Sequence, residues 1–103
     1  MATTHKKDQL IHTRIISAKQ TIFEGNVAAI TSTNAQGKFD ILPYHANFLT
    51  LIQNKPIILT FPDKKTQTFV FPIGILYCRD NIVDIFTDIQ LSEEDFEKEL
   101  KAP

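Results

Sequence analysis

From Leu10 to Asp88 the chain is a succession of short runs rich in β-branched and aromatic residues. Turn chemistry interrupts them at intervals of about 8 to 12 residues, which predicts strands rather than helices. Leu10 to Ser17 reads as a first strand, with His12 and Arg14 on one face and Ile11 and Ile15 on the other. After the connector Ala18-Lys19-Gln20 comes a long β-rich stretch, Thr21 to Thr33, with an expected interruption at Glu24-Gly25-Asn26. Gly25 and Asn26 tolerate positive φ and predict a bulge or tight turn there, after which Val27, Ala29 and Thr31 share a face. Asn34 to Gly37 reads as a hairpin loop.

The stretch from Gly37 to Ile52 organises the rest of the chain. Lys38 and Asp40 alternate with Phe39 and Ile41, so the first pair faces out and the second in. Pro43 fixes φ and lacks a donor, which ends the ladder and makes Tyr44-His45-Ala46-Asn47 a loop tip at a sheet corner. Phe48 to Gln53 leaves that corner as a nearly all-apolar strand, with Leu49 and Leu51 on one face and Phe48, Thr50 and Ile52 on the other. Asn54-Lys55-Pro56 turns the chain. Ile57 to Phe61 pairs with Thr66 to Phe71 across Pro62-Asp63-Lys64-Lys65. Ile73 to Arg79 and Asn81 to Asp88 form a second hairpin around Asp80-Asn81, residue types that accept the left-handed conformations of a tight turn.

Alternation assigns the core to Phe23, Val27, Phe39, Ile41, Leu49, Leu51, Phe69, Phe71, Ile75, Val83 and Ile85. From Ser92 the character changes. Ser92-Glu93-Glu94-Asp95 resembles a capping box, and Lys98 and Lys101 lie near the end of the segment. The expectation is one short helix, presenting Phe96 and Leu100 on one face and needing to dock on the sheet because about nine residues are too few to be stable alone. Residues 1–9 read as a frayed polar tail, 10–90 as one domain, and 91–103 as the short helix and its tail. The predicted fold is all-β, a flattened antiparallel sandwich or barrel with that C-terminal helix.

Composition narrows the function. The 103 residues are 43% hydrophobic and 22% charged, with eight Phe and no Trp, which suits a folded domain with one modest core. Eleven basic against twelve acidic residues give a net charge of −1, which offers no electrostatic footprint for nucleic acid. The longest apolar run, Phe69 to Cys78, is broken by Pro72 and Gly74 and falls well short of the ~20 residues of a spanning helix. Without a secretory h-region near the N-terminus, a cytoplasmic address is expected.

Chemistry has few candidates. Cys78, the single cysteine, lies in a strand-like run and reads as a buried, inert thiol. A Cys–His pair with His45 would lack an oxyanion-hole glycine cluster. His5 and His12 are not clustered with further ligands, so no metal site is expected. No phosphate-cradling loop is present, and no cofactor is expected.

Three blocks of sequence carry a resemblance. Gly37-Lys38-Phe39-Asp40-Ile41-Leu42-Pro43-Tyr44-His45-Ala46-Asn47 resembles the Gly-Glu-Phe-Gly-Val-Leu-Pro-Gly-His-Ala-Pro segment of the epsilon subunit of rotary ATP synthases, called delta in mitochondria. Upstream, Thr21 to Thr31 is similar to the family's Leu-Phe-Glu-Gly run. Downstream, Gly74 to Val83 resembles its Arg-Asp-Asn hairpin. The blocks occur in the family's order and cover residues 10 to 90.

The resemblance implies a flattened β-sandwich of about ten strands, the near-closed architecture that limits exposed edges. It implies a non-catalytic central-stalk subunit of a proton-translocating synthase, peripheral on the cytoplasmic side of a bacterial inner membrane. Its partners would be the gamma subunit and the membrane rotor ring of c subunits, with no insertion into the membrane. The family's long C-terminal helical pair is not expected here.

The resemblance also implies that Lys38, Asp40, Tyr44, His45 and Asn47 face the ring. Four of these depart from the family pattern: Lys38 replaces Glu, Asp40 and Tyr44 replace Gly, and Asn47 replaces Pro. Pro72-Ile73 likewise replaces Ser-Gly. His45 has two readings, an imidazole bonding its neighbouring backbone to hold the corner and an interface residue. A charge inversion at a contact surface changes partner choice. The alternative reading is therefore a free-standing sandwich used as a protein-binding module outside a synthase.

Overall fold

A computed structural model describes residues 10–87. Among the described residues nine strands are formed: β1 (Ile11–Ile16), β2 (Thr21–Val27), β3 (Ala29–Asn34), β4 (Gly37–Ile41), β5 (Phe48–Ile52), β6 (Pro56–Thr60), β7 (Thr66–Val70), β8 (Gly74–Arg79) and β9 (Ile82–Thr87). They make a five-stranded sheet, β2-β1-β9-β8-β5, facing a four-stranded sheet, β4-β3-β6-β7. This is the expected all-β sandwich. Every pairing is antiparallel except that of β1 with β9, which run side by side in the same direction. The short helix expected over residues 92–100 lies outside the described residues.

Turn chemistry places the strands. Asp80 and Asn81 both adopt positive φ (52° and 62°), the pair of left-handed residues that closes the β8–β9 hairpin with the right twist. Gly37 takes φ 125° at the end of the β3–β4 turn, a conformation open to glycine at no steric cost. Chain directions then collect the β2–β3 crossover at Ala28, the β4–β5 corner, the β6–β7 turn and the β8–β9 turn at one end of the sandwich. The β3–β4 and β5–β6 turns lie at the other.

Between the sheets sits an aliphatic core built from Ile11, Ile15, Val27, Ile30, Ile41, Ile52, Ile57, Leu59, Leu76, Cys78, Val83 and Ile85. Phenylalanines close its two long margins. Where β4 meets β5, Phe39 and Phe48 meet edge to face at 5.2 Å. Where β2 meets β7, Phe23 lies 5.9 Å from Phe61 and 6.3 Å from Phe69. No buried side-chain nitrogen or oxygen among the described residues lacks a hydrogen-bond partner. The buried hydroxyl of Ser32, for example, donates to the Pro56 carbonyl over 2.8 Å.

Three expectations need correction. Leu49 and Leu51 are exposed rather than core, and Ile52 is the fully buried residue of β5. In β8 the inward set is Gly74, Leu76 and Cys78, which leaves Ile75 on the outer side. Finally, β2 runs unbroken through Gly25-Asn26, and the chain crosses between sheets at Ala28, whose N–H donates to the Thr60 carbonyl over 2.7 Å. In consequence Ile30 and Ser32 face inward, and Ala29 and Thr31 do not. Gly25 serves a close approach instead of a turn: a Cβ there would come within 3.2 Å of the Phe23 ring, which would have to give by a few tenths of an ångström.

Candidate functional site: an apolar sheet face and a corner loop

The strand registers set the outer face of the five-stranded sheet in rows. One row reads Leu49, Tyr77, Asp84, Arg14, Glu24 across β5, β8, β9, β1 and β2. The next reads Leu51, Ile75, Phe86, Ile16, Thr21. Leu49 is 66% exposed and Leu51 46%, with Tyr77 and Phe86 also open to solvent. Four large apolar side chains thus stand together on a face that a free monomer would do better to keep polar.

A charged cluster borders them. Arg14 Nε and Nη2 donate to the two carboxylate oxygens of Asp84 over 2.9 and 3.1 Å, and Arg79 approaches Asp84 at 3.8 Å. Asp84 is only 4% exposed beneath the two guanidiniums, while Arg14 remains 40% exposed. The Asp84 hydrogen bond, then its charge, raise the Arg14 pKa above its ordinary value. Arg79 also lies over the Tyr77 ring at 5.0 Å, which orients the aromatic within the apolar patch.

The corner loop is the second feature. The His45 N–H donates to the Leu42 carbonyl over 3.1 Å, closing a turn with Pro43 and Tyr44 at its centre. Tyr44 has φ 65°, so this is a type II turn, whose third position favours glycine. Holding a bulky L-residue in this left-handed region costs about 1–2 kcal/mol. Asn81 clamps the loop from the neighbouring hairpin: its Oδ1 accepts the Tyr44 N–H over 2.9 Å and its Nδ2 donates to the Leu10 carbonyl over 2.6 Å. The His45 Nδ1–H donates to the Ala46 carbonyl over 2.7 Å, and the imidazole packs 5.6 Å from the Phe48 ring.

The five residues expected to face the ring are strung along one margin, two on β4 and three in the loop that follows it. Lys38 and Asp40 project from the exposed face of the edge strand β4, where Asp40 accepts the Thr31 hydroxyl over 2.6 Å. Tyr44, His45 and Asn47 follow at the far end of that strand. His45 makes the corner-holding contact, while Tyr44 and Asn47 are exposed.

Among the described residues no group of three His, Cys, Asp or Glu is placed to hold a metal ion. A shallow groove of about 380 Å³ runs between the β3–β4 turn and β5, and Lys55 is its one titratable lining residue. Cys78 is buried, and burial raises its thiol pKa, the opposite of what a nucleophile needs.

Residues 10–92 match the ATP synthase delta/epsilon chain, beta-sandwich domain. This chain belongs to that family. It is 27% identical over 84 residues to the ATP synthase epsilon chains of two Stenotrophomonas maltophilia strains, K279a and R551-3, covering 82% of this chain and 60% of each relative. The chain thus spans about 60% of the length of these curated relatives.

Its fold superposes with a TM-score of 0.72 at 22% identity on a chain of the Euglena gracilis mitochondrial ATP synthase, covering 91% of this chain and 62% of that one. A chain from the Tetrahymena thermophila mitochondrial ATP synthase central stalk and c-ring gives 0.63 at 16%, with 88% and 69% covered.

The delta/epsilon sandwich was legible in the motif blocks. The apolar sheet face and the Asn81 clamp were missed, although the burial expected of Cys78 already implied that Tyr77 and Ile75 point the other way.

Proposed function

We propose that this delta/epsilon-family chain is a non-catalytic central-stalk subunit of a proton-translocating rotary ATP synthase. It would join the gamma subunit to the rotor ring of c subunits, peripheral to the membrane on the cytoplasmic side of a bacterial inner membrane. The observation that carries this reading, beyond family membership, is the apolar outer face of the five-stranded sheet.

A torque-transmitting clamp must adhere to the stalk without doing chemistry, and that face supplies the adhesion. Burying a Leu or Phe side chain contributes about 1.5–3 kcal/mol each before association costs, whereas a rim ion pair contributes about 0–1. The apolar face, centred on Leu49, Tyr77 and Phe86, is thus assigned to the gamma subunit. The margin of Lys38, Asp40, Tyr44, His45 and Asn47 is assigned to the ring, where Lys38 calls for a carboxylate on the partner.

One observation favours the second reading, a free-standing binding module: four of those five margin residues differ from the family pattern. Co-purification separates the two. A tagged chain expressed with the gamma and ring subunits of its own organism should bring down both, and recovery of neither would leave the module reading.

A further inference from the structure

Four strands end the two sheets, and the edges of three are guarded. β4 carries exposed charges of both signs, Lys38 and Asp40. β2 has Glu24 at its centre and a shifted register against β1 at Ile15 and Ile16. The margin of β5 is covered by Phe39 on Phe48 and by the Asn34 amide on the Thr50 hydroxyl. β7 differs: Thr66-Gln67-Thr68-Phe69-Val70 holds no charge and no proline, pairs with β6 in unbroken register, and is exposed at every residue but Phe69. An uncharged, regular, open edge is a template for another strand.

The backbone groups of that edge are set out for one register. The Phe61 N–H donates to the Lys65 carbonyl over 2.8 Å, and the Lys64 N–H to the Phe61 carbonyl over 2.8 Å, so the β6–β7 ladder opens on Phe61 and Lys65 as a bonded pair. Bonded and non-bonded pairs alternate along an antiparallel ladder, which makes Leu59–Gln67 and Ile57–Phe69 bonded as well. The N–H and C=O groups of Thr66, Thr68 and Val70 therefore point away from β6, to the free edge.

We infer that β7 pairs antiparallel with β7 of a second copy of this chain, about a twofold axis at Thr68. The two four-stranded sheets then become one, running from the β4 of one copy to the β4 of the other. In this register Thr68 meets Thr68 of the second copy and Thr66 meets Val70, so the outward backbone groups of all three residues are used. Each of these cross-strand pairs is β-branched on both sides, and between them Gln67 lies beside Phe69. Lys65 falls opposite Phe71, and Lys64 opposite Pro72, which lacks an N–H and ends the ladder. No like charges face each other, as a self-complementary contact between identical patches requires. β7 belongs to neither surface assigned above, the apolar face being on the other sheet and β4 at the opposite edge of its own, so the inference does not rest on the stalk reading.

Because Thr68 faces its own copy on the axis, one substitution sets two like charges together. Sedimentation equilibrium of the purified full chain should show a mass that rises with concentration from one copy to two. Thr68→Lys and Thr68→Glu should each raise the dissociation constant about tenfold or more, with the Tm of dilute protein unchanged because the side chain is exposed. An equimolar mixture of the two variants should pair again, at least as tightly as the unmodified chain.

A single copy at the highest concentration reached would overturn the inference and leave the edge to a strand of another protein. Pairing that survives both substitutions would overturn it by placing the contact elsewhere, and failure of the mixture to pair would overturn the twofold register. Co-purification with the gamma and ring subunits, which tests the stalk reading, is unaffected by any of these outcomes.

Discussion

The sandwich has two outer faces made by the same alternation of side chains, yet they are built differently. Across the four-stranded sheet the outward rows are Asp40, Thr31, Ile58, Thr68 and Ala29, Thr60, Thr66, with Lys38 beside Thr33 and Pro56 beside an exposed Val70 beyond them, and threonine recurs at positions where a strand needs β-branching and water needs a hydroxyl. Across the five-stranded sheet the corresponding rows carry Leu49, Tyr77, Leu51, Ile75, Phe86 and Ile16, and their charged residues are drawn together over one buried carboxylate. Strand formation is satisfied equally well by either set. The difference thus concerns what each face meets after folding, and the stalk role proposed above accounts for it with the threonine face solvated and the other against the gamma subunit.

The largest expected effect comes from exchanging these characters. Leu49→Asp combined with Phe86→Asp should weaken binding to the gamma subunit at least a hundredfold, about 2.7 kcal/mol, with little change in Tm. Thr66→Asp with Thr68→Asp on the opposite face should leave binding unchanged. Equal losses from both pairs, read by titration calorimetry, would abolish the distinction.

Next comes the contrast between the two sides of the five-stranded sheet itself. Leu76→Ala, on the inner side, should cost about 2–5 kcal/mol in chemical denaturation because it empties a filled core site. Leu51→Ala, on the neighbouring edge strand but facing out, should cost under about 1 kcal/mol. Similar costs would mean that the facing of β5 is reversed.

Smaller again is the effect of the polar groups on each face. Arg14→Ala leaves the Asp84 carboxylate, which solvent barely reaches, with only Arg79 at 3.8 Å, and should lower the Tm clearly. Asp40→Ala removes only an exposed bond from the Thr31 hydroxyl and should cost less than about 1 kcal/mol. A larger loss at Asp40 than at Arg14 would show that the charged cluster is incidental. Smallest of all, Lys38→Glu should leave folding unchanged and weaken ring binding by about 0–1 kcal/mol, an effect that fades as salt is raised.

How much of this could be read from the chain depends on whether a strand has one apolar face or two. β4 alternates cleanly, and its inward Ile41 was assigned from sequence; in β1 the alternation set Ile11 and Ile15 on one face against His12 and Arg14, but that face was not counted into the core it proves to line. Phe48 to Ile52 is apolar on both faces apart from Thr50, so alternation names two sets of residues without saying which is inside. In the structure the choice is made by contacts from distant strands, with Phe39 on Phe48 and the Asn34 amide donating to the Thr50 hydroxyl over 3.0 Å.

Gly25 misled for a related reason. A glycine in a strand serves a turn or a close approach, and only the position of the Phe23 ring tells which. At the corner, the motif Leu42-Pro43-Tyr44-His45 made the loop legible, but its strain was not, since that depends on the φ of a residue whose type gives no warning.

The parallel pairing of β1 with β9 bears on how the domain comes to exist at all. Arg14 and Asp84, 70 residues apart, are neighbours in the finished sheet, and the first described strand has no partner on that side until the last one arrives. During synthesis the β1–β2 ribbon must wait, with an unpaired edge and an apolar inner face, while all the intervening strands leave the ribosome. Contacts that span most of a chain slow folding toward the millisecond-to-second range, and waiting edges invite pairing with the wrong neighbour. The step that seals the five-stranded sheet is thus also the step at which a nascent chain is most open to capture by a chaperone or to misassembly.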